Sequence, residues 1–247
     1  MTSLVYEATL RQGVETLGLK LNDIQIAQLL GYHALIQKWN KVYNLTAIRD
    51  PAEMLTHHLL DSLAIIAPLR IRLAGLAYEQ DGASDVSDAN DASDANDATS
   101  GQYLCRLLDV GAGAGLPGVV IAICCPDMHV TCVDAVAKKM AFVQQVATEL
   151  KLPNLQALHA RVETLSQKYD IITSRAFATL LDFVTGSCAA LKPDTGVWLA
   201  MKAKDTAAEI ANLPANVDVF HVEQLTVPGL GAERCIVWMR ENHAENA

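Results

Sequence analysis

The segment Leu108-Asp109-Val110-Gly111-Ala112-Gly113-Ala114-Gly115-Leu116-Pro117-Gly118 concentrates the chemistry of this chain. It closes an apolar run of strand length, Cys105–Val110, and its glycines let the backbone turn tightly and approach a ligand. Two signatures overlap in it. Residues 113–118 fit Gly-x-Gly-x-x-Gly, the dinucleotide fingerprint. Residues 109–113 fit the Asp-x-Gly-x-Gly turn of adenosylmethionine-binding enzymes. Register favours the second, because a turn that begins directly after the strand begins at Gly111 and leaves Asp109 at the strand's end. A carboxylate there suits a ligand carrying an ammonium and a sulfonium, and suits a pyrophosphate badly. Asp109, Gly111, Gly113 and Leu116 are therefore candidate cofactor-binding residues.

Further candidates end the runs that follow. Asp134 closes Cys132-Val133-Asp134, where an acid can accept both ribose hydroxyls of an adenosine; a solvated strand-end Asp is the plain alternative. Val162 and Glu163 come after the third run, where the edge of an adenine would lie, and a surface helix cap accounts for Glu163 equally well. Arg175, after the fourth run, faces the cleft and can hold a phosphate or a methionine carboxylate. An ion pair with Asp109 or Glu163 would explain it as well. Lys202, after the fifth run, is a plausible phosphate contact or a solvated lysine. His57 and Asp61 share a helical face at i, i+4 spacing, with capping or packing as the competing role. Two devices are missing. There is no Asn/Asp-Pro-Pro-aromatic element of the kind used for exocyclic amino methylation, the corresponding place reading Thr173-Ser174-Arg175-Ala176. Nor is there a Pro-Cys or Thr-Cys nucleophile there for attack on C5 of cytosine. A ring nitrogen with a free lone pair needs neither device and no general base, because positioning and tolerance of developing positive charge suffice.

These residues require a framework that brings strand ends together. Cys105–Val110, Val130–Asp134, Gln156–Ala160, Tyr169–Ser174 and Gly196–Met201 read as strands, alternating with helical segments such as Ala137–Leu150 and Leu180–Leu191. That alternation predicts an α/β fold with a mostly parallel sheet and helices on both faces. The last two runs, Val217–Val227 and Arg234–Arg240, flank a short Pro-Gly loop and predict an antiparallel final strand. Upstream the pattern is helical. Asn22 and Gln25 form a potential capping box ahead of Ile26, Leu29, Leu30, His33 and Ile36. Asp50-Pro51-Ala52-Glu53 is a start signal with an N-cap Asp and Pro at the first helical position, followed by Met54, Leu55, Leu59, Leu63 and Ile66. Three regions result: an N-terminal helical region over 1–74, an acidic low-complexity insert over 75–103, and a ligand-binding core over 104–243.

The insert explains the charge. Ser87-Asp-Ala-Asn-Asp-Ala92 repeats without change as residues 93–98, and such a polar run cannot offset its ordering entropy, so it is expected to be disordered. It lacks the Gly and the bidentate Glu of a calcium loop. The net charge of −9 argues against a nucleic-acid partner, but seven acids lie between Glu79 and Ser100, and the rest of the chain carries only −2. The six cysteines have no metal-ligand spacing and sit in apolar runs, as free thiols in a reducing cytosol do. No run suits a membrane span or a signal peptide. A cytoplasmic enzyme is expected.

The combination of Asp109–Gly118 with Asn44-Leu45-Thr46 and residues 57–62 (His-His-Leu-Leu-Asp-Ser) resembles the bacterial methyltransferase G family, also called glucose-inhibited division protein B. The likeness continues through Val133-Asp134 with Lys138-Lys139, residues 149–152, Val162-Glu163, residues 174–178, Met201-Lys202, Val227-Pro228 and Glu233-Arg234, and omits only residues ~75–103. It implies a Rossmann-like class I methyltransferase fold with S-adenosyl-L-methionine as donor and N7 of a guanine in 16S ribosomal RNA, free or in a small-subunit particle, as acceptor. Cofactor contacts would fall at Gly111, Leu116, Val162, Glu163 and Arg175; Arg175 and Lys202, as positioning residues, and the Lys138-Lys139 pair are candidate RNA or cofactor contacts. No metal, no membrane and no DNA partner are expected, and a monomer is expected. Two departures are Lys139, where the family often has Arg, and Ala203, where a Gly commonly follows the Lys. A small-molecule methyltransferase, a nicotinamide-dependent oxidoreductase and a binding module with a dead site are the alternatives.

Overall fold

The computed structural model describes residues 3–81, 103–175, 179–203 and 206–242. The repeat at 87–98 and the Ala176-Phe177-Ala178 stretch lie outside the described residues. The chain opens with α1 (Ser3–Thr16) and α2 (Asp23–Tyr43). Helix α2 starts at the expected capping box: the Asn22 side chain accepts from the N–H of Gln25, whose own side chain accepts from the N–H of Asn22. It ends at Asn44 in the left-handed conformation. Asp50 caps α3 (Pro51–Met54) by accepting from the N–H groups of Ala52 and Glu53. A π-helical turn, Leu55–Leu60, then leads into α4 (Asp61–Leu63) and α5 (Ile66–Asp81). The helical region thus runs past the expected boundary at residue 74, and residues 75–81 are helical rather than part of a loop.

The sheet comprises β1 (Cys105–Val110), β2 (Met128–Asp134), β3 (Leu155–His159), β4 (Ile171–Arg175), β5 (Val197–Ala203), β6 (Val217–Leu225) and β7 (Arg234–Glu241) in the order β3-β2-β1-β4-β5-β7-β6. The first five pair in parallel, and β7 runs antiparallel between β5 and β6. Intervening helices are α6 (Gly118–Cys124), α7 (Ala137–Glu149), α8 (Leu180–Ser187) and α9 (Ala207–Ala211).

Alternate residues along each strand feed two separate cores, as the two-residue period of a strand requires. Leu107, Ile171, Leu199 and Trp238 pack with α6, α7 and the N-terminal helices. Leu108, Ile172, Trp198 and Val237 pack with α8. The N-terminal helices are therefore welded to one face of the sheet and reach its carboxyl edge, where a ligand would sit. All six cysteines are free, and only Cys188 is exposed. Among the described residues no helix is long and apolar enough to cross a membrane.

Candidate active site

Strand order fixes the location. β1 and β4 are neighbours, but the chain leaves β1 towards β2 and reaches β4 only after β3, so the crevice at their carboxyl ends is left open. The glycine turn lies there. Gly111 has a φ of +66°, a conformation that a side chain would strain, and its N–H and that of Ala112 donate to Val133 O at the end of β2. The turn is also held from outside the sheet: the buried Tyr32 hydroxyl on α2 donates to Ala114 O at 2.7 Å. Tyr32 was not among the residues read from helical spacing, because a buried tyrosine on an apolar face looks like core until its hydroxyl's partner is known.

Two recesses flank the turn, and Gly111 lines both. The smaller, about 270 Å³, is bordered by Val133, Asp134, Ala160, Val162 and Glu163. Asp134 is almost fully buried; Oδ2 accepts from Gly113 N at 3.0 Å and approaches Lys139 Nζ at 3.4 Å, while Oδ1 accepts from Val136 N at 2.9 Å. A carboxylate offers about four acceptor positions, so Oδ1 keeps one for a donor in the recess. Val162 is buried and Glu163 exposed on the 3-10 turn Val162–Thr164. Apolar walls with two carboxylates fit a nucleoside, whose base is flat and apolar and whose ribose donates hydrogen bonds.

The larger recess, about 600 Å³, is lined by the turn on one side and by the N-terminal helices on the other, with Leu116, Arg175, Lys202 and Arg234 in its wall. Here sequence and structure part over Arg175. Neither Asp109 nor Glu163 pairs with it. Its Nη1 donates to Asp61 Oδ2 at 2.9 Å and to His57 O at 2.8 Å, and Arg234 Nε donates to the other oxygen, Asp61 Oδ1, at 3.1 Å. Lys202 is not solvated: its side chain is 12% exposed and pairs with Glu209 of α9 at 2.8 Å. His58 Nε2 lies 2.9 Å from Thr46 Oγ1, and burial, with Arg175 nearby, pushes this imidazole down to about 4. His57, Asp61 and Leu45-Thr46 all line the recess. Arg234 acquired no role from the sequence, although an antiparallel β7 must begin at the edge where β5 ends, as the pairing of Ala203 with Arg234 records.

Asp109 departs from the expected direct contact. Strand alternation turns it to the face covered by α6, where it is fully buried and lines neither recess. Its Oδ2 accepts from Gly118 N at 2.8 Å, and Oδ1 has no partner. Burial pushes its carboxyl up to about 7 despite the Gly118 hydrogen bond. It braces the start of α6 beneath the turn, and Gly118 is required for this approach, since a Cβ there would sit 2.8 Å from Asp109 Oδ2.

The family model described as rRNA small subunit methyltransferase G matches residues 25–71 and 92–237, most of the chain. The chain belongs to this family. Among relatives, the small-subunit methyltransferase G of Albidiferax ferrireducens is 63% identical over 236 residues, covering 96% of this chain and 97% of its own. That of Acidovorax sp. strain JS42 is 59% identical, covering 95% of each chain. A solved structure of ribosomal protein L11 methylase from Lactobacillus delbrueckii subsp. bulgaricus aligns with a TM-score of 0.46 at 15% identity, over 70% of this chain and 78% of that one. Membership in the methyltransferase G family puts the two recesses in the context of methyl transfer rather than of nicotinamide chemistry.

Proposed function

We propose that this chain is a cytoplasmic enzyme that methylates N7 of a guanine in 16S ribosomal RNA with S-adenosyl-L-methionine as donor. The observation that carries the reading is the sharing of Gly111 by both recesses: a ligand crossing the turn would place its nucleoside on one side and its reactive end on the other. The donor supplies an electrophilic methyl on a sulfonium. Asp134 accepts the ribose hydroxyls while continuing to hold Gly113 and Val136, and Val162 and Glu163 border the purine. Arg175 and Lys202 act as positioning residues for anionic groups, the donor's carboxylate and the phosphate of the target nucleotide. Asp109 acts through the backbone of Gly118 and not by contact.

Guanine N7 has a free lone pair and loses no proton on methylation, so orientation and water exclusion are the main demands. The recess is compatible with a reaction that needs no general base: its acid, Asp61, is held by two guanidiniums, and His58 Nε2 is held at Thr46. The test is a map of N7-methylguanine in ribosomal RNA from cells with and without the gene. One modified position in the small-subunit RNA disappears on deletion. An unchanged map refutes the reading.

A further inference from the structure

The last turns of α2 and the loop after it carry features that the methyl-transfer site leaves unused. Three rings step outward from the core. Phe142 of α7 is fully buried; Trp39, half-buried, tilts against it at 5.5 Å; Tyr43 stacks on Trp39 at 5.1 Å with 29° between planes. Tyr43 is 39% exposed, and Val42 beside it is 71% exposed. Between residues 24 and 49 there is no Asp or Glu, but there are Lys38, Lys41 and Arg49, all exposed, in a chain of net charge −9.

The segment is rigidly built. Asn40, buried, accepts from Thr46 N at 2.9 Å and donates to Ile48 O at 3.1 Å, while Arg49 Nη2 donates to Asn44 Oδ1 at 3.1 Å and closes the loop. Leu45, Thr46 and Ile48 of this loop line the larger recess. Tyr43 and Arg49 therefore bracket, in the chain, the residues that wall the cavity. The carboxylate next along, Asp50, is turned onto the N–H groups of α3.

We propose that this rim holds the RNA strand beside the target base, Tyr43 stacking on a flanking nucleobase and Lys38, Lys41 and Arg49 meeting phosphates. The inference rests on the ribosomal RNA reading above and extends it to a second surface. Single-stranded RNA is held by aromatic platforms and cations in this manner, because every base has a flat face and every linkage a charge. A ring already stacked on Trp39 loses little freedom when a base covers its outer face. The charge complementarity favours a nucleic acid over an acidic protein face, since a base completes the ring stack and an acidic side chain does not.

The experiment uses the full chain with ribosomal RNA extracted from cells lacking the gene, and with small-subunit particles from the same cells. Direct RNA binding and tritiated methyl transfer are measured for the wild type, Tyr43→Ala, Tyr43→Phe and the triple variant Lys38→Ala, Lys41→Ala, Arg49→Ala. Tyr43→Ala weakens RNA binding and raises KM for RNA about tenfold, the size of one lost base stack, while the affinity for S-adenosylmethionine stays at the wild-type value. Tyr43→Phe keeps the ring and binds as wild type. The triple variant shows a shallower dependence of binding on salt, by about 0.7 in logarithmic slope for each lost phosphate contact. Wild-type RNA affinity in folded Tyr43→Ala overturns the proposal while leaving the proposed reaction intact. Tyr43-dependent binding without formation of N7-methylguanine sinks the reaction and keeps the surface. Failure of the wild type to bind or methylate either the extracted RNA or the particles sinks both. A Tyr43→Ala defect that appears only on particles, with extracted RNA bound and methylated at the wild-type level, overturns the stacking of Tyr43 on an unfolded flanking strand.

Discussion

Asp61 accepts a 2.9 Å charge-assisted hydrogen bond from Arg175, and the two side chains are only 5% and 18% exposed. With Arg234 on its other oxygen, Asp61 is, among the described residues, the single carboxylate lining a cavity rich in cations. Removing one member of a buried pair strands the other's charge, so Asp61→Ala should destabilise the fold by about 3–5 kcal/mol in denaturant titrations. A double-mutant cycle with Arg175→Ala should show coupling well above the ~0.5 kcal/mol scatter of independent sites. Additive losses would mean that Arg175 is held by His57 O alone.

Asp134 joins the glycine turn to the start of α7 through Gly113 N and Val136 N. Asp134→Ala is expected to weaken S-adenosylmethionine binding at least tenfold in calorimetry. Asp134→Asn, which retains an acceptor, should lose less. Equal affinity in all three proteins would remove Asp134 from the binding site.

Asp109 and His58 bias stability in opposite directions with pH. The Asp109 carboxyl, raised to about 7 by burial, binds its proton in the native state between its ordinary range and neutrality, so its contribution favours folding at low pH and is lost as pH rises towards 7. His58, lowered to about 4, stays neutral when folded, so its contribution is present above its ordinary value of 6.5 and is lost as pH falls towards 4. Asp109→Asn should therefore gain stability relative to wild type between pH 5 and pH 8, and His58→Gln should gain on wild type between pH 7 and pH 4.5. Urea titrations across this range, showing parallel pH profiles for wild type and either variant, would contradict the assignment.

A methyl group at residue 118 has nowhere to go, since it would meet both Asp109 Oδ2 and Cys132 Sγ. Gly118→Ala should cost about 1–3 kcal/mol or more by overpacking. Cys132→Ala in the same chain should recover part of that loss by making room. Thermal unfolding that shows Gly118→Ala at the wild-type midpoint would mean that α6 can shift freely.

The sheet was readable because its strands are short apolar runs ended by glycine, aspartate or arginine, and β1, β4 and β5 fall within a few residues of their sequence positions. Asp134, Val162, Glu163, Gly111 and Leu116 border the recesses because strand ends in this topology converge on one edge. Asp109 was harder to place. Its position at the end of a strand suggested a ligand contact, whereas the alternation of Leu108 and Val110 onto the α8 face sends residue 109 under α6. The partner of Arg175 was out of reach, because Asp61 is 114 residues away, at the start of α4 and just past a π-helical turn that shifts the i, i+4 register assumed for His57 and Asp61.

Asp61 lies 114 residues from Arg175 and 173 residues from Arg234 in the sequence. A ribosome making this protein must release β7 before the second guanidinium can reach its carboxylate. The wall of the recess is thus finished only once β7 has been synthesised, and a truncated product ending before residue 234 would fold, at most, around an unfinished centre. Synthesis of β7 and completion of this wall are tied together by strand order.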